Sequence, residues 1–288
     1  MPEHERRQSV RRLLFDAVVP LLYLRGWGAA AAWRLGLNGS VQVERFEVAL
    51  PGTVPDGTPP MRLVFASDFH AGPTTDPRLI ADACEVIENE RPDLLLLGGD
   101  LVSFRASYVE PIAERLGVLP APLGRLAVFG NHDLRTDVAS FVERLERRGI
   151  QVLVNESMRL PAPYETAWVC GFDDARRGHP DAVRTFAGAD GTRIVLAHSP
   201  VTLGHIGTER FELMLCGHTH GGQIALPGGY PLYLPPGPYN RAYASGRFRV
   251  GPEGRATLLV SRGIGCSTIP VRLFAPGNVF SCAVRFSE

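Results

Sequence analysis

The chain has 288 residues, enough for one large α/β domain or two small ones with an ample core. Its 30 Lys and Arg balance 30 Asp and Glu, so the basic excess or stripe of a generic nucleic-acid binder is missing. Five scattered cysteines (Cys84, Cys170, Cys216, Cys266, Cys282) contain no CxxC pair, which excludes a disulfide framework and a zinc-finger pattern. Four of them, all but Cys266, lie in apolar stretches and read as buried thiols, and a reducing, cytoplasmic setting is expected.

Residues 1–38 read as a helical segment, set apart as residues 1–40 from a main domain over 41–288. Arg6-Arg7 and Arg11-Arg12 precede an apolar run from Leu13 to Leu24 that Asp16 and Pro20 interrupt, so a spanning helix is not expected. The same residues fit a membrane-surface helix making peripheral contact with the inner membrane face, a plain packed helix, or an export signal ending near Ala29 to Ala32. Val41 to Ala49 alternates like an edge strand, and Pro51 to Pro60 is a loop.

From Arg62 onward, apolar runs suited to buried strands alternate with helical patterns. Strands are expected at 62–67, 93–97, 125–129, 150–154, 167–171, 192–197 and 211–216, with helices at 77–89, 106–116 and 137–148. Residues 224–246 are too rich in Pro and Gly for regular structure and read as a loop that contacts substrate or a plain surface excursion. Strands resume at 248–250, 256–261 and 279–286. This rhythm implies a mixed sheet, or two sheets face to face with helices outside.

Polar clusters stand where those strands run out: Asp68-Phe69-His70, Gly98-Gly99-Asp100, Gly130-Asn131-His132-Asp133, Ala197-His198-Ser199 and Gly217-His218-Thr219-His220. Open α/β sheets bind ligands beyond the carboxyl ends of their strands. Carboxylate, imidazole and amide groups are ligands for borderline divalent metals, so the series points to a two-metal hydrolytic centre. If strand geometry continued through them, Asp68 and His70 would share a face, as would His218 and His220, each pair aiming at one point. His4, His179 and His205 fall outside every cluster and read as surface residues, while Ser67 and Gln223 fit site lining or local structure equally.

In order and spacing, these blocks resemble the calcineurin-like metallophosphoesterase superfamily, whose signature is D-x-H, G-D, G-N-H-D/E, H and G-H-x-H. The string Gly217-His218-Thr219-His220-Gly221-Gly222-Gln223, the Pro-rich loop and Ser261-Arg262-Gly263-Ile264-Gly265 look like its YkuE-like bacterial branch. The resemblance implies a four-layer αββα sandwich of two mixed β-sheets flanked by helices, with a dinuclear centre. It assigns Asp68, His70 and His220 to one metal and Asn131, His198 and His218 to the other, with Asp100 bridging. His132 would act without ligating, as the proton donor to the leaving group, and Asp133 would orient the His132 ring. A hydroxide formed between the two cations would attack phosphorus in line. The metals implied are manganese, iron, zinc or magnesium, and the nitrogen-rich ligand set favours Mn, Fe or Zn over Mg.

Relatives in that branch include cell-envelope phosphodiesterases and pyrophosphatases that cleave UDP-2,3-diacylglucosamine. The expected substrate is therefore a phosphodiester or pyrophosphate, with a lipid-linked or nucleotide-sugar compound as its most specific form. A nuclease or cyclic-nucleotide phosphodiesterase is the alternative, and a catalytically inactive metal-binding interaction module is the alternative of another class. Relatives often carry Asp where this chain has Ser103, which weakens a supporting role at that position, and Phe69 in D-x-H is a minor departure.

Overall fold

A computed structural model describes residues 24–287. The first strands illustrate how the sheets form. In β2 (Met61–Ala66) and β3 (Leu94–Leu97) almost every residue is buried on one face or the other. Such near-continuous apolar runs suit strands covered on both sides. Leu63, Phe65, Leu94 and Leu96 point into one core, while Val64, Ala66, Leu95 and Leu97 point into another. The period-two alternation of the pleat thus serves two packing layers from a single strand.

The first sheet has the order β1-β14-β2-β3-β4-β5, where β1 is Gln42–Pro51, β4 Gly124–Ala127, β5 Gln151–Val152 and β14 Asn278–Ser287. β14 runs parallel to β1 and antiparallel to β2, which brings the two ends of the domain side by side. β2 to β5 are mutually parallel, joined through helices Pro77–Asn89, Glu110–Gly117 and Val138–Glu146. The second sheet has the order β12-β13-β9-β8-β7-β6. Its strands are β6 Glu156–Arg159, β7 Ala167–Gly171, β8 Thr192–Leu196, β9 Leu213–Cys216, β12 Gly246–Val250 and β13 Ala256–Val260. β7, β8, β9 and β13 are parallel, and antiparallel strands close both edges.

The sheets pack face to face through Leu63, Phe65, Leu96 and Leu126 on one side and Val169, Ile194, Leu196 and Leu215 on the other. The three longer helices cover the outer face of the first sheet, where Leu79, Ile87, Ile112, Leu116, Phe141 and Leu145 are buried. The outer face of the second is covered more thinly, by one-turn helices Ala182–Thr185 and Leu203–Ile206 with Phe172 and Phe186. The architecture is the expected αββα sandwich of two mixed sheets.

Local differences have physical causes. The helix expected over 106–116 is a 3-10 turn, Ala106–Val109, followed by the α-helix Glu110–Gly117. Pro111 has no N–H to donate backward and so sits at the start of a helix, not inside one. β6 was not expected from the sequence, because Glu156-Ser157-Met158-Arg159 is a partly exposed edge without apolar alternation. The segment 224–246 is mostly irregular but holds a small hairpin, β10 (Ala225–Leu226) with β11 (Tyr230–Pro231). Helix Trp27–Arg34 and Asn38 pack onto the main domain through buried Ala29 and Ala32, and Asn38 Oδ1 accepts the Arg272 backbone N–H at 3.2 Å. The membrane-surface and export expectations fall largely on residues 1–23, outside the described residues.

Candidate metal centre

Every expected ligand lies just past the carboxyl end of a strand. Asp68 and His70 follow β2, Asp100 follows β3, Asn131 and His132 follow β4, His198 follows β8, and His218 and His220 follow β9. The expectation that each pair aims at one point holds for Asp68 and His70 but fails for His218 and His220, and in neither pair does strand geometry continue. The strands end at Ala66 and Cys216, and Asp68, His70, His218 and His220 have φ of 54°, 45°, 71° and 54°. Left-handed backbone at a non-glycine residue costs of order 1–3 kcal/mol and persists only where surroundings enforce it. The coiled backbone sends His218 and His220 to different groups: Asp68, His70 and His220 converge at one place, and Asp100, His198 and His218 at another.

Within each group, ring nitrogens face one another. His70 Nε2 is 3.1 Å from His220 Nε2, and His198 Nε2 is 3.1 Å from His218 Nδ1. His220 Nε2 lies 3.5 Å from Asp68 Oδ1. Asp100 Oδ2 stands between the groups, 3.5 Å from His70 Nε2 and 3.3 Å from His198 Nε2. Asn131 Oδ1 is buried and has no hydrogen-bond partner among the described residues. An orphaned buried carbonyl oxygen beside converging imidazoles and carboxylates is a donor set that fits cations.

Glycines permit the crowding. A Cβ on Gly217 would stand 2.1 Å from Asp68 Oδ2, and one on Gly130 would stand 2.2 Å from Asp100 Oδ1. Neither position can carry a side chain without displacing a carboxylate.

Outer hydrogen bonds fix the rings. His198 Nδ1 donates to the Gly98 carbonyl at 2.8 Å, which leaves Nε2 as the ring nitrogen turned toward Asp100 and the rest of the group. His70 Nδ1 lies 2.9 Å from Ser103 Oγ, a hydroxyl that can accept the ring proton. The sequence expectation that Ser103 weakens support at this position is therefore corrected: a serine hydroxyl does the orienting. His132 is half-buried, donates its backbone N–H to Asp100 Oδ1 at 2.7 Å, and sets its ring edge-on to His70 with centroids 4.8 Å apart. Its donor atoms also come within ligand reach of His70 and Asp100. Asp133 Oδ1 accepts the Val102 N–H at 3.1 Å and its Oδ2 the Gly130 N–H at 2.9 Å, so it braces the two ligand loops.

Burial dominates the electrostatics. It pushes Asp68 up to about 6, against the pull of His198, and drives His70 down to about 3 despite Asp100. Burial likewise holds His218 and His220 well below the usual imidazole range, keeping their lone pairs free. Burial raises Asp133, aided by the Asp100 charge. Burial opposes the charged forms of His198 and Asp100 too, but their mutual attraction outweighs it and holds His198 high and Asp100 low.

A family model for the calcineurin-like phosphoesterases matches residues 61–222, which carry all five ligand blocks. The chain belongs to that family. Phosphodiesterase YaeI of Escherichia coli is 32% identical over 217 residues, 73% of this chain and 77% of that protein. The metallophosphoesterase YkuE of Bacillus subtilis is 27% identical over 274 residues, 89% of this chain and 94% of its own, in keeping with the YkuE-like branch. A Danio rerio transmembrane protein with metallophosphoesterase domain is 29% identical over 97% of this chain, which spans only 63% of that relative's length. Among the described residues no helix is long and apolar enough to cross a membrane. As a member of this family, the chain is a hydrolase of phosphoester bonds.

The phosphoesterase site opens into a cavity of about 840 Å³. Asp100, Asn131, His132, His218 and His220 form its base, and Tyr233, Pro235, Pro236, Ile224 and Ile269 line its walls. Gln223, left open by the sequence, does both things: it lines the cavity and ties down the wall, donating to the Ile269 and Val271 carbonyls at 2.7 and 3.1 Å. His179 and His205 are exposed, as expected. All five cysteines are free and buried.

Two arginines at the site were not anticipated. Arg272 is buried, spends its donors on the carbonyls of Arg262, Gly265 and Ala275, and places Nη2 3.1 Å from His220 Nδ1. Arg176 lines the cavity and places Nη1 3.2 Å from His218 Nε2. Neither falls in a sequence block, and no spacing rule points to them.

Proposed function

We propose that this phosphoesterase hydrolyses a phosphodiester or pyrophosphate bond at a dinuclear centre, in a substrate that also carries an apolar group. A lipid-linked or nucleotide-sugar compound, such as UDP-2,3-diacylglucosamine, is its most specific form. The observation that carries the reading is the joining of two chemistries in one cavity. The base is a metal-ligand cluster, while the segment 223–240 that supplies much of the wall contains no charged residue. Tyr233 and Ile269, which line the cavity, are exposed, as are Leu226, Tyr230, Leu232 and Phe274 in the same two stretches of chain. A concentration of large apolar side chains on a surface marks a binding region. The Escherichia coli relative is named a phosphodiesterase, which agrees with a diester substrate.

Asp68, His70 and His220 would hold one cation and Asn131, His198 and His218 the other, with Asp100 shared. Two cations so held supply Lewis acidity toward the phosphoryl oxygens and lower the pKa of water enough to make a nucleophile near neutral pH. Four imidazoles among seven ligands favour Mn, Fe or Zn over Mg. His132, beside the centre and open to the cavity, would give its proton to the departing oxygen. Asp100 fixes the position of His132 by accepting its backbone N–H. Asp133 keeps the Gly130 and Val102 loops in register, so that Asn131 and Asp100 meet.

A screen of activity by metal and substrate tests the reading, with bis-p-nitrophenyl phosphate, p-nitrophenyl phosphate, cyclic nucleotides and UDP-linked acyl sugars. Preference for the acylated pyrophosphate or the diester over the monoester is the expected result. Preference for p-nitrophenyl phosphate or for cyclic nucleotides would contradict it.

A further inference from the structure

We infer that Arg176 is a substrate-binding residue, holding the phosphoryl oxygens of the bound ester once the metal centre is loaded. The inference rests on the dinuclear reading above and adds a role for a residue outside the ligand blocks.

The local fold delivers this side chain to the site. Arg176 lies in the turn after β7, where Asp174 Oδ1 accepts the backbone N–H of Arg176 at 3.1 Å and of Arg177 at 2.8 Å. Asp173 Oδ2 accepts the His179 N–H at 2.8 Å, and Asn155 Oδ1 accepts those of Asp173 and Asp181, each at 3.1 Å. Five backbone N–H groups between Asp173 and Asp181 are thereby tied down, and the arginine projects from a braced base. Asp174 itself is buried, and its carboxylate serves the backbone of the turn. No carboxylate among the described residues lies within ion-pairing distance of the Arg176 guanidinium. It lines the cavity beside Asn131 and His132, and its side-chain contact is His218 Nε2, at 3.2 Å.

A loaded site would weaken that contact. His218 turns Nδ1 toward His198, so Nδ1 is the atom that would face a cation there. A neutral imidazole that gives one nitrogen to a metal carries its proton on the other. His218 Nε2 then becomes a donor, and a guanidinium has five donors and no acceptor. Donor meets donor, and the Arg176 fork must turn to another acceptor. The exposed side chain can swing, and the space it lines is where the non-bridging oxygens of a phosphate ester would lie. Planar, charge-assisted pairing with such oxygens is what the arginine fork does best. Arg272 differs: its donors are already committed to buried carbonyls, and it has no freedom to move into the cavity.

The test uses the full chain, metal-loaded, with Arg176→Gln and Arg176→Lys compared with wild type. Metal content is read by elemental analysis, orthophosphate binding by calorimetry, and KM and kcat with bis-p-nitrophenyl phosphate. Arg176→Gln is expected to keep the wild-type metal content, to weaken orthophosphate binding by about 10- to 100-fold, and to raise KM. Arg176→Lys, which restores a point charge without the fork, should recover part of the loss. Unchanged orthophosphate affinity at full metal content overturns the assignment. Loss of metal in Arg176→Gln overturns it as well, since the residue would then act through His218. Wild-type protein that takes up no metal would instead overturn the metal-centre reading on which the assignment rests.

Discussion

Asp133→Asn separates two roles that one carboxylate could play. Its two oxygens accept buried backbone N–H groups from Val102 and Gly130 at 3.1 and 2.9 Å. An asparagine has one carbonyl oxygen, so whichever way the amide turns, one of those N–H groups faces an NH₂ group. The change removes a buried hydrogen bond and strands its donor, a loss of about 2–4 kcal/mol. For a chain of this size each kcal/mol moves Tm by roughly 2–4 °C, so a fall of about 5–15 °C is expected. Wild type and variant should be melted at the same saturating metal concentration, because ligands of the native state add their own stabilisation. A Tm within about 2 °C of wild type, with metal retained and kcat sharply reduced, would refute the bracing role. It would restore the view that Asp133 serves the His132 ring.

His132→Ala is expected to retain metal by elemental analysis and lose roughly 10²–10⁴ in kcat, the usual worth of acid catalysis. Loss of metal instead would make His132 a ligand, which its nearness to His70 and Asp100 allows. Gly217→Ala should leave the far-ultraviolet circular dichroism unchanged while lowering metal content, since the new Cβ would stand 2.1 Å from Asp68 Oδ2 and push that carboxylate aside. Full metal content in this variant would show that Asp68 is not needed where the structure puts it.

The sequence reveals the sheets because their central strands are unbroken apolar runs such as Leu94 to Leu97, and it points to the candidate ligands because they cluster where those runs stop. It does not show how the backbone coils after the strand. His218 and His220 adopt left-handed φ values, and that sends an apparent i, i+2 pair to separate groups. Ser103 is legible as a departure from relatives but not as a partner of His70 Nδ1, because that contact depends on how the loops after β2 and β3 meet. Arg176 and Arg272 come from a turn and from the tail, and only folding sets them against His218 and His220. β6 escaped because an exposed edge strand has no apolar pattern to read.

The central claim is that one centre holds two cations with Asp100 between them. The most direct measurement is metal content per chain by elemental analysis, with the sites located by anomalous scattering from a crystal, for wild type and Asp100→Asn. Two metals per wild-type chain, placed between the His70/His220 and His198/His218 pairs, with reduced occupancy of both in Asp100→Asn, is the predicted result. A single metal in wild type, or two retained in full after Asp100→Asn, would contradict it.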